Sequence, residues 1–185
     1  MPELPYEIWK DRVENELKNI HKLKVLVENS VIRGNNSVEF TILINAFGII
    51  KIDGDLRPQT NHRIFLKINR SFPYPGGIDF SWFTNIFHPN IHPVENPLKN
   101  TGTGYICLNV LKKWSRLSDL ETTIKALKTL VEHPNPDDPL NYPICLQAAD
   151  FFNKKSVEEL KKEFNIEDKA FEKEEKDDEI LIVDD

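Results

Sequence analysis

The chain has 185 residues, 24 basic and 30 acidic, for a net charge of −6. That length suits one core with an appendage, and the acidic balance excludes a nucleic-acid binder, whose basic stripe must neutralise phosphates. The charge is also local: residues 167–185 hold ten Asp or Glu against three Lys, net −7, which leaves residues 1–166 at +1.

In chain order, residues 5–24 place Ile8, Trp9, Val13, Leu17, Ile20 and Leu23 near helical spacing with charges between them. This predicts an amphipathic helix of four or five turns. From Val25 the pattern turns to β-branched and aromatic runs at Val25–Ile32, Val38–Ile52 and Arg63–Ile68. Turn signals at Gly34-Asn35-Asn36, Asp53-Gly54 and Phe72-Pro73-Tyr74-Pro75-Gly76-Gly77 separate them, so an antiparallel meander is expected. A fourth run, Ile78–Phe87, ends at His88-Pro89-Asn90, where proline takes the chain out of the sheet.

Pro89 to Gly104 has no periodicity but three prolines and two glycines, which predicts a long loop leading into Tyr105-Ile106-Cys107-Leu108-Asn109-Val110-Leu111. Leu120–Glu132 returns to helical period and stops at Pro134-Asn135-Pro136-Asp137-Asp138-Pro139. A further helix is expected at Tyr142–Phe152. Ser156, with Glu159 three residues on, opens a last one through about Phe164. The fold class is α+β, with one domain over residues 1–165 and an acidic tail over 166–185. Two distant cysteines, with no signal-peptide pattern and no long apolar run, set the expectation of free thiols, a cytoplasmic setting and no membrane partner.

His88-Pro89-Asn90, Ile106-Cys107-Leu108-Asn109-Val110-Leu111, Trp114-Ser115 and Pro134 to Leu140, in that order, resemble the landmarks of the ubiquitin-conjugating enzyme (E2) family. Any one alone is weak, but four in order are specific. The resemblance covers roughly residues 6–152 and implies that family's α/β roll: an N-terminal helix, a four-stranded antiparallel meander, a long active-site loop and C-terminal helices. Three departures stand out. About nine residues are inserted within His92 to Gly104, directly before Cys107, which sets the expectation of a loop over the active site. The span from Cys107 to Trp114 is about one residue short, and Arg116 stands where members commonly have proline.

The implied chemistry is acyl relay on Cys107, since a thiolate that accepts an acyl group and leaves again suits transfer better than hydrolysis. The competing reading makes Cys107 a small buried hydrophobe between Ile106 and Leu108. Cys145, among Ile144, Leu146 and Ala148, reads as core. Asn90 carries two readings: an amide donor for the oxyanion that forms when an amine attacks the thioester, or a brace that holds the long loop through backbone hydrogen bonds. His88 and Pro89 read as structural members of their motif.

Asp138 matches the position that orients the attacking lysine, with Asp137 as the fallback, against an ordinary use of both as turn or cap residues. Asn109 resembles a position with a secondary role in shaping the lysine's approach, and reads equally as a strand-end polar residue. The resemblance implies E1 contacts at Lys10, Arg12 and Lys18 of the first helix and E3 contacts at Tyr74 and Leu117, against simple packing for a Tyr in a turn. In the tail, Ile180-Leu181-Ile182-Val183 between acids resembles a modifier-binding run able to add a strand to a sheet edge; the alternatives are a solubilising tail or docking on its own body.

No Cys-x-x-Cys pair accompanies the histidines at 88, 92 and 133 and no Gly-x-Ser-x-Gly elbow exists, so neither a metal nor a serine hydrolase is expected. No cofactor is expected either, since ATP belongs to the upstream activating enzyme. The expected partners are ubiquitin or a ubiquitin-like protein, an E1, an E3 and a protein substrate, met by a cytoplasmic monomer that is also nuclear if eukaryotic. The rival function is a non-catalytic modifier-binding module on the same fold.

Overall fold

The computed structural model describes residues 3–22, 25–33, 36–74, 76–93, 103–107 and 119–166. Helix α1 (Tyr6–Lys22) buries Trp9, Val13, Glu16 and Ile20, spaced four, three and four apart, while Ile8 is 58% exposed on the other side. The apolar stripe is therefore narrower than the sequence suggests, and it contains a carboxylate. The indole Nε1 of Trp9 donates to the Asn69 carbonyl at 2.8 Å, fixing α1 to the end of the sheet.

Strands β1 (Leu26–Arg33), β2 (Ser37–Ile52), β3 (Asp55–Asn69) and β4 (Ile78–Trp82) form one antiparallel sheet in that order, the expected meander. Period-two alternation decides its faces. Val38, Phe40, Ile42 and Ile44 of β2 and Ile64, Leu66 and Ile68 of β3 are buried. On the opposite face Lys67 meets Glu39 directly across the ladder at 3.3 Å, and Arg63 meets Glu28 at 3.2 Å. Asp53 and Gly54, at φ 51° and 92°, make the tight turn between β2 and β3, where left-handed backbone favours glycine.

Two boundaries differ from expectation. β3 begins at Asp55, eight residues before the apolar run at Arg63, because Asp55–Pro58 takes its register from Ile49–Ile52 opposite and not from its own composition. Pro58 is tolerated there because β4 pairs only with Ile64–Ile68. β4 is shorter, ending at Trp82 although the apolar run continues to Phe87.

Helix α2 (Leu120–Glu132) packs Leu120, Ile124, Leu127, Leu130 and Val131 into the same cluster as Trp9 and the sheet's buried face. Asp119 caps it, with its carboxylate accepting from the Thr122 backbone N–H at 2.6 Å. The buried Glu16 of α1 accepts from the Leu120 backbone N–H at 2.9 Å, so one helix supplies a partner for the other's first turn. Each such fully buried aliphatic side chain contributes roughly 1.5–3 kcal/mol.

Helices α3 (Pro143–Phe152) and α4 (Val157–Glu163) follow, with a capping box at Ser156 and Glu159 as the sequence indicates. Val157 and Leu160 of α4 join Phe47 and Ile49 of β2 in a second, smaller cluster flanked by Leu56, Phe151, Phe152, Phe164 and Ile166. Among the described residues no helix is long and apolar enough to cross a membrane.

Candidate active site

Within the expected loop from Pro89 to Gly104, whose residues 94–102 lie outside the described residues, Ile91 and His92 form a short strand. β5 (Ile91–His92) pairs antiparallel with β6 (Tyr105–Ile106), Ile91 opposite Ile106 and His92 opposite Tyr105. Two-residue strands leave no periodicity for a sequence to show. The Trp82 N–H donates to the Gly104 carbonyl at 2.9 Å, which joins the hairpin to the end of β4. The Cys107 N–H donates to the Asn90 carbonyl at 2.9 Å, which places Asn90 and Cys107 opposite each other one step beyond Ile91 and Ile106.

Alternation then sorts the hairpin's side chains. Ile91 and Ile106 are buried in the main cluster. Asn90, His92, Tyr105 and Cys107 belong to the other face.

On that face the Asn90 side chain is fully engaged. Its Nδ2 donates to the carbonyls of Asn135 and Asp138, both at 3.0 Å, and its Oδ1 accepts from the Asn135 N–H at 2.8 Å. Both amide hydrogens and the oxygen are thus spent on the Pro-rich loop, and Asn90 is wholly buried. These are the bonds of a brace, though the loop braced is 135–138 and not the inserted one. Donation to an oxyanion requires one of the two Nδ2 bonds to open.

His88 holds Asn90 from below. Its Nδ1 accepts from the Asn90 N–H at 3.0 Å, which leaves Nε2–H to donate to the Leu130 carbonyl at 3.0 Å. The ring is buried, and desolvation pushes its pKa down to about 3 against the pull of that carbonyl. It is a neutral strut joining the motif to α2. Pro89 contributes its carbonyl, which accepts from the Leu140 N–H at 2.9 Å.

Asp137 and Asp138 are exposed in the turn after Pro136. The Asp137 N–H donates to the Asn135 side chain at 3.2 Å, and Asp138 is held through its carbonyl by Asn90, which leaves the Asp138 carboxylate facing outward. Neither caps a helix, because α3 begins at Pro143 with Tyr142 before it.

Cys107 itself is 7% exposed. Cys145 is wholly buried; its thiol donates to the Ile91 carbonyl at 3.4 Å, and burial pushes its pKa up to about 11.

The remaining sites are less concentrated. On α1, Lys10 pairs with Glu14 at 4.0 Å, Arg12 pairs with Glu16 at 3.5 Å and lies over the Phe72 ring, and Lys18 is exposed. Positions 10 and 12 project about 200° apart around a helix, so these cations do not form one patch. Tyr74 is 44% exposed, in the turn before Gly77. Asn109, Leu117 and the tail residues Ile180, Leu181, Ile182 and Val183 lie outside the described residues.

Sequence reasoning missed Glu16, whose only signal is an acid on the 9, 13, 16, 20 stripe. It also missed the ring pair of His92 and Tyr142, whose centroids stack at 3.9 Å and 7°. Nothing in the sequence announces that pair.

Fold and site together define a ubiquitin-conjugating roll with a cysteine at the end of its short hairpin. The sequence model of "Ubiquitin-conjugating enzyme" matches residues 12–165, and the chain belongs to that family. Among curated relatives, "Protein PEROXIN-4" of Arabidopsis thaliana is 43% identical over 61 residues, 32% of this chain and 34% of that protein. "Probable ubiquitin-conjugating enzyme E2 31" of the same plant is 31% identical over 107 residues, 57% of this chain and 60% of that protein. "NEDD8-conjugating enzyme Ubc12" of Dictyostelium discoideum is 38% identical over 112 residues, 60% of this chain and 43% of that protein. The matches to these three thus span less than two thirds of each relative's length. Among solved structures, S. cerevisiae Ubc12 aligns at a TM-score of 0.46 and 21% identity, over 82% of this chain and 75% of that one.

Proposed function

We propose that the chain receives ubiquitin or a ubiquitin-like protein from an E1 as a thioester on Cys107 and passes it to a lysine, directly or by way of an E3. In the first step the Cys107 sulfur bonds the modifier's C-terminal carbonyl carbon as the E1 thiolate leaves. In the second a lysine nitrogen bonds that carbon, Cys107 leaves as thiolate, and the amine gives up a proton. The outward carboxylate of Asp138 is suited to orienting the amine, and Asn90 serves by fixing the turn that carries it. The observation that supports this reading is the Cys107 N–H bond to the carbonyl of Asn90, the residue that braces the 135–138 turn, in a chain of this family.

The 7% exposure of Cys107 favours the rival, a non-catalytic modifier-binding module. Transfer from another protein requires the thiol to open further. Incubation with candidate E1 enzymes, ATP and modifiers separates the two: a thiol-sensitive mass increase is expected, absent in Cys107→Ala. Failure of every pair to charge the protein would leave the module reading. The tail run Ile180–Val183 is proposed to add modifier affinity, and unchanged affinity after deletion of residues 177–185 would remove that role.

A further inference from the structure

The loop from Asn135 to Tyr142 is fastened to the strand opposite Cys107 at successive points. The Asn90 side chain and the Pro89 carbonyl make the first, already described. The last is the His92 ring, stacked on Tyr142 with centroids 3.9 Å apart and planes 7° from parallel. His92 is also fastened on its own side: its Nδ1 lies 2.6 Å from the Thr103 hydroxyl, which in turn accepts from the Tyr105 N–H at 3.3 Å. One imidazole thus joins three things: the Asp138 loop through Tyr142, β5 through its own backbone, and the strand entering Cys107 through Thr103 and Tyr105.

The pleat puts His92 on the same face as Cys107, diagonal to it across the ladder, where side chains are about 7–8 Å apart. Two flat rings in close parallel contact hold a distance and a tilt, which a lone hydrogen bond does not.

From this geometry we infer that His92 and Tyr142 are a positioning pair that sets the gap between the Cys107 strand and the Asp138 loop, so that both the exposure of the thiol and the alignment of an incoming amine depend on the stack. The second half of this rests on the proposed thioester function; the first half does not. In the step concerned, the amine nitrogen bonds the acyl carbon, the Cys107 thiolate leaves, and the proton shed by the nitrogen passes to solvent or to Asp138. Neither ring exchanges a proton or touches the acyl group.

The test uses the full chain with His92→Ala, Tyr142→Ala and His92→Phe, the last retaining a ring to stack. Alkylation of Cys107 by iodoacetamide, followed by peptide mapping, reads the gap without any partner protein. The two alanine variants are expected to react at least about fivefold faster than the parent, and His92→Phe within about twofold of it. Isolated thioester, chased with free lysine, reads alignment. His92→Ala is expected to lose about tenfold in the saturating discharge rate, with less change in the half-saturating lysine concentration, and His92→Phe to recover most of it.

Parent-like alkylation in both alanine variants would overturn the inference, as would a His92→Phe no better than His92→Ala in either assay. If the parent never forms a thioester, the proposed function fails and the alkylation rates still decide the clamp. Circular dichroism melting of each variant identifies global unfolding. Should His92→Ala unfold, Tyr142→Ala and the rescue by His92→Phe decide.

Discussion

The two cysteines stand on either side of one short strand, and they differ in nearly everything else. Asn90 gives its carbonyl to the Cys107 N–H, and the next residue, Ile91, gives its carbonyl to the Cys145 thiol. Cys107 sits where a strand ends, on the face that meets a polar loop. Cys145 sits on α3 among apolar neighbours with its pKa pushed up to about 11. The lesson is that a thiol's surroundings are set by which side of a strand it lands on, because one step along the chain exchanges a braced polar turn for apolar neighbours.

The sharpest way to break this contrast is selective alkylation of the native protein at pH 8, mapped by mass. Cys145 holds only about one thiolate in a thousand there and has no exposed surface, so label is expected on Cys107 alone until denaturant is added. Equal labelling of both in the folded state would end the comparison.

The next largest effect concerns the brace. Asn90→Ala removes two donated bonds and one accepted bond and leaves the Asn135 N–H unpartnered, which is expected to cost roughly 2–4 kcal/mol in urea unfolding. A loss under about 1 kcal/mol would mean the 135–138 turn holds itself.

Acid sharpens the picture from beneath the site. Burial holds His88 at about 3 and His62 at about 4, both below their ordinary value, so each stays neutral in the folded protein and takes up a proton near pH 6.5 once unfolded. The folded pKa is depressed in both cases. Their contribution is therefore complete above pH 6.5 and is lost as pH falls, by about 1.4 kcal/mol per pH unit for each histidine until its folded pKa is passed. Between pH 6.5 and 5, above the ordinary carboxylate range, unfolding free energy should fall with a slope that steepens from about one proton to near two. A flat profile would show that these rings are charged or hydrated in the fold. His62 also packs on Gly48, where the β2–β3 register shifts: a Cβ there would lie 3.0 Å from its Cε1, so a larger residue requires the ring to give way.

The smallest effect belongs to the sheet's outer face, far from either thiol. Glu39→Ala removes the partly exposed pair with Lys67 and is expected to cost under about 1 kcal/mol, less at high salt. A larger loss would mean this face is less open to solvent than its ion pairs suggest.

Much of this was legible in advance, and the parts that were not share a cause. The ends of α2 and the Ser156 capping box follow from local signals: helical period, a proline run, and a hydroxyl three residues before a glutamate. The motif around Cys107 identified the family by its order of residues. What stayed hidden depends on partners distant in sequence. Asp55–Pro58 is strand because of Ile49–Ile52, Glu16 is buried because of Leu120, and His92 is ordered by Tyr142 fifty positions later. The two amide hydrogens of Asn90 belong to the same class, since only the fold decides whether they meet a loop or a reacting oxygen.

The bond from Glu16 to Leu120 spans 104 positions and has a bearing on synthesis. A chain emerging from the ribosome exposes Trp9, Val13 and Ile20 early, yet the helix that seals them against the sheet is not available until residue 131 has left the exit tunnel. The apolar side of α1 therefore stays uncovered while the residues between it and α2 are made, and chaperone capture in that interval should include α1.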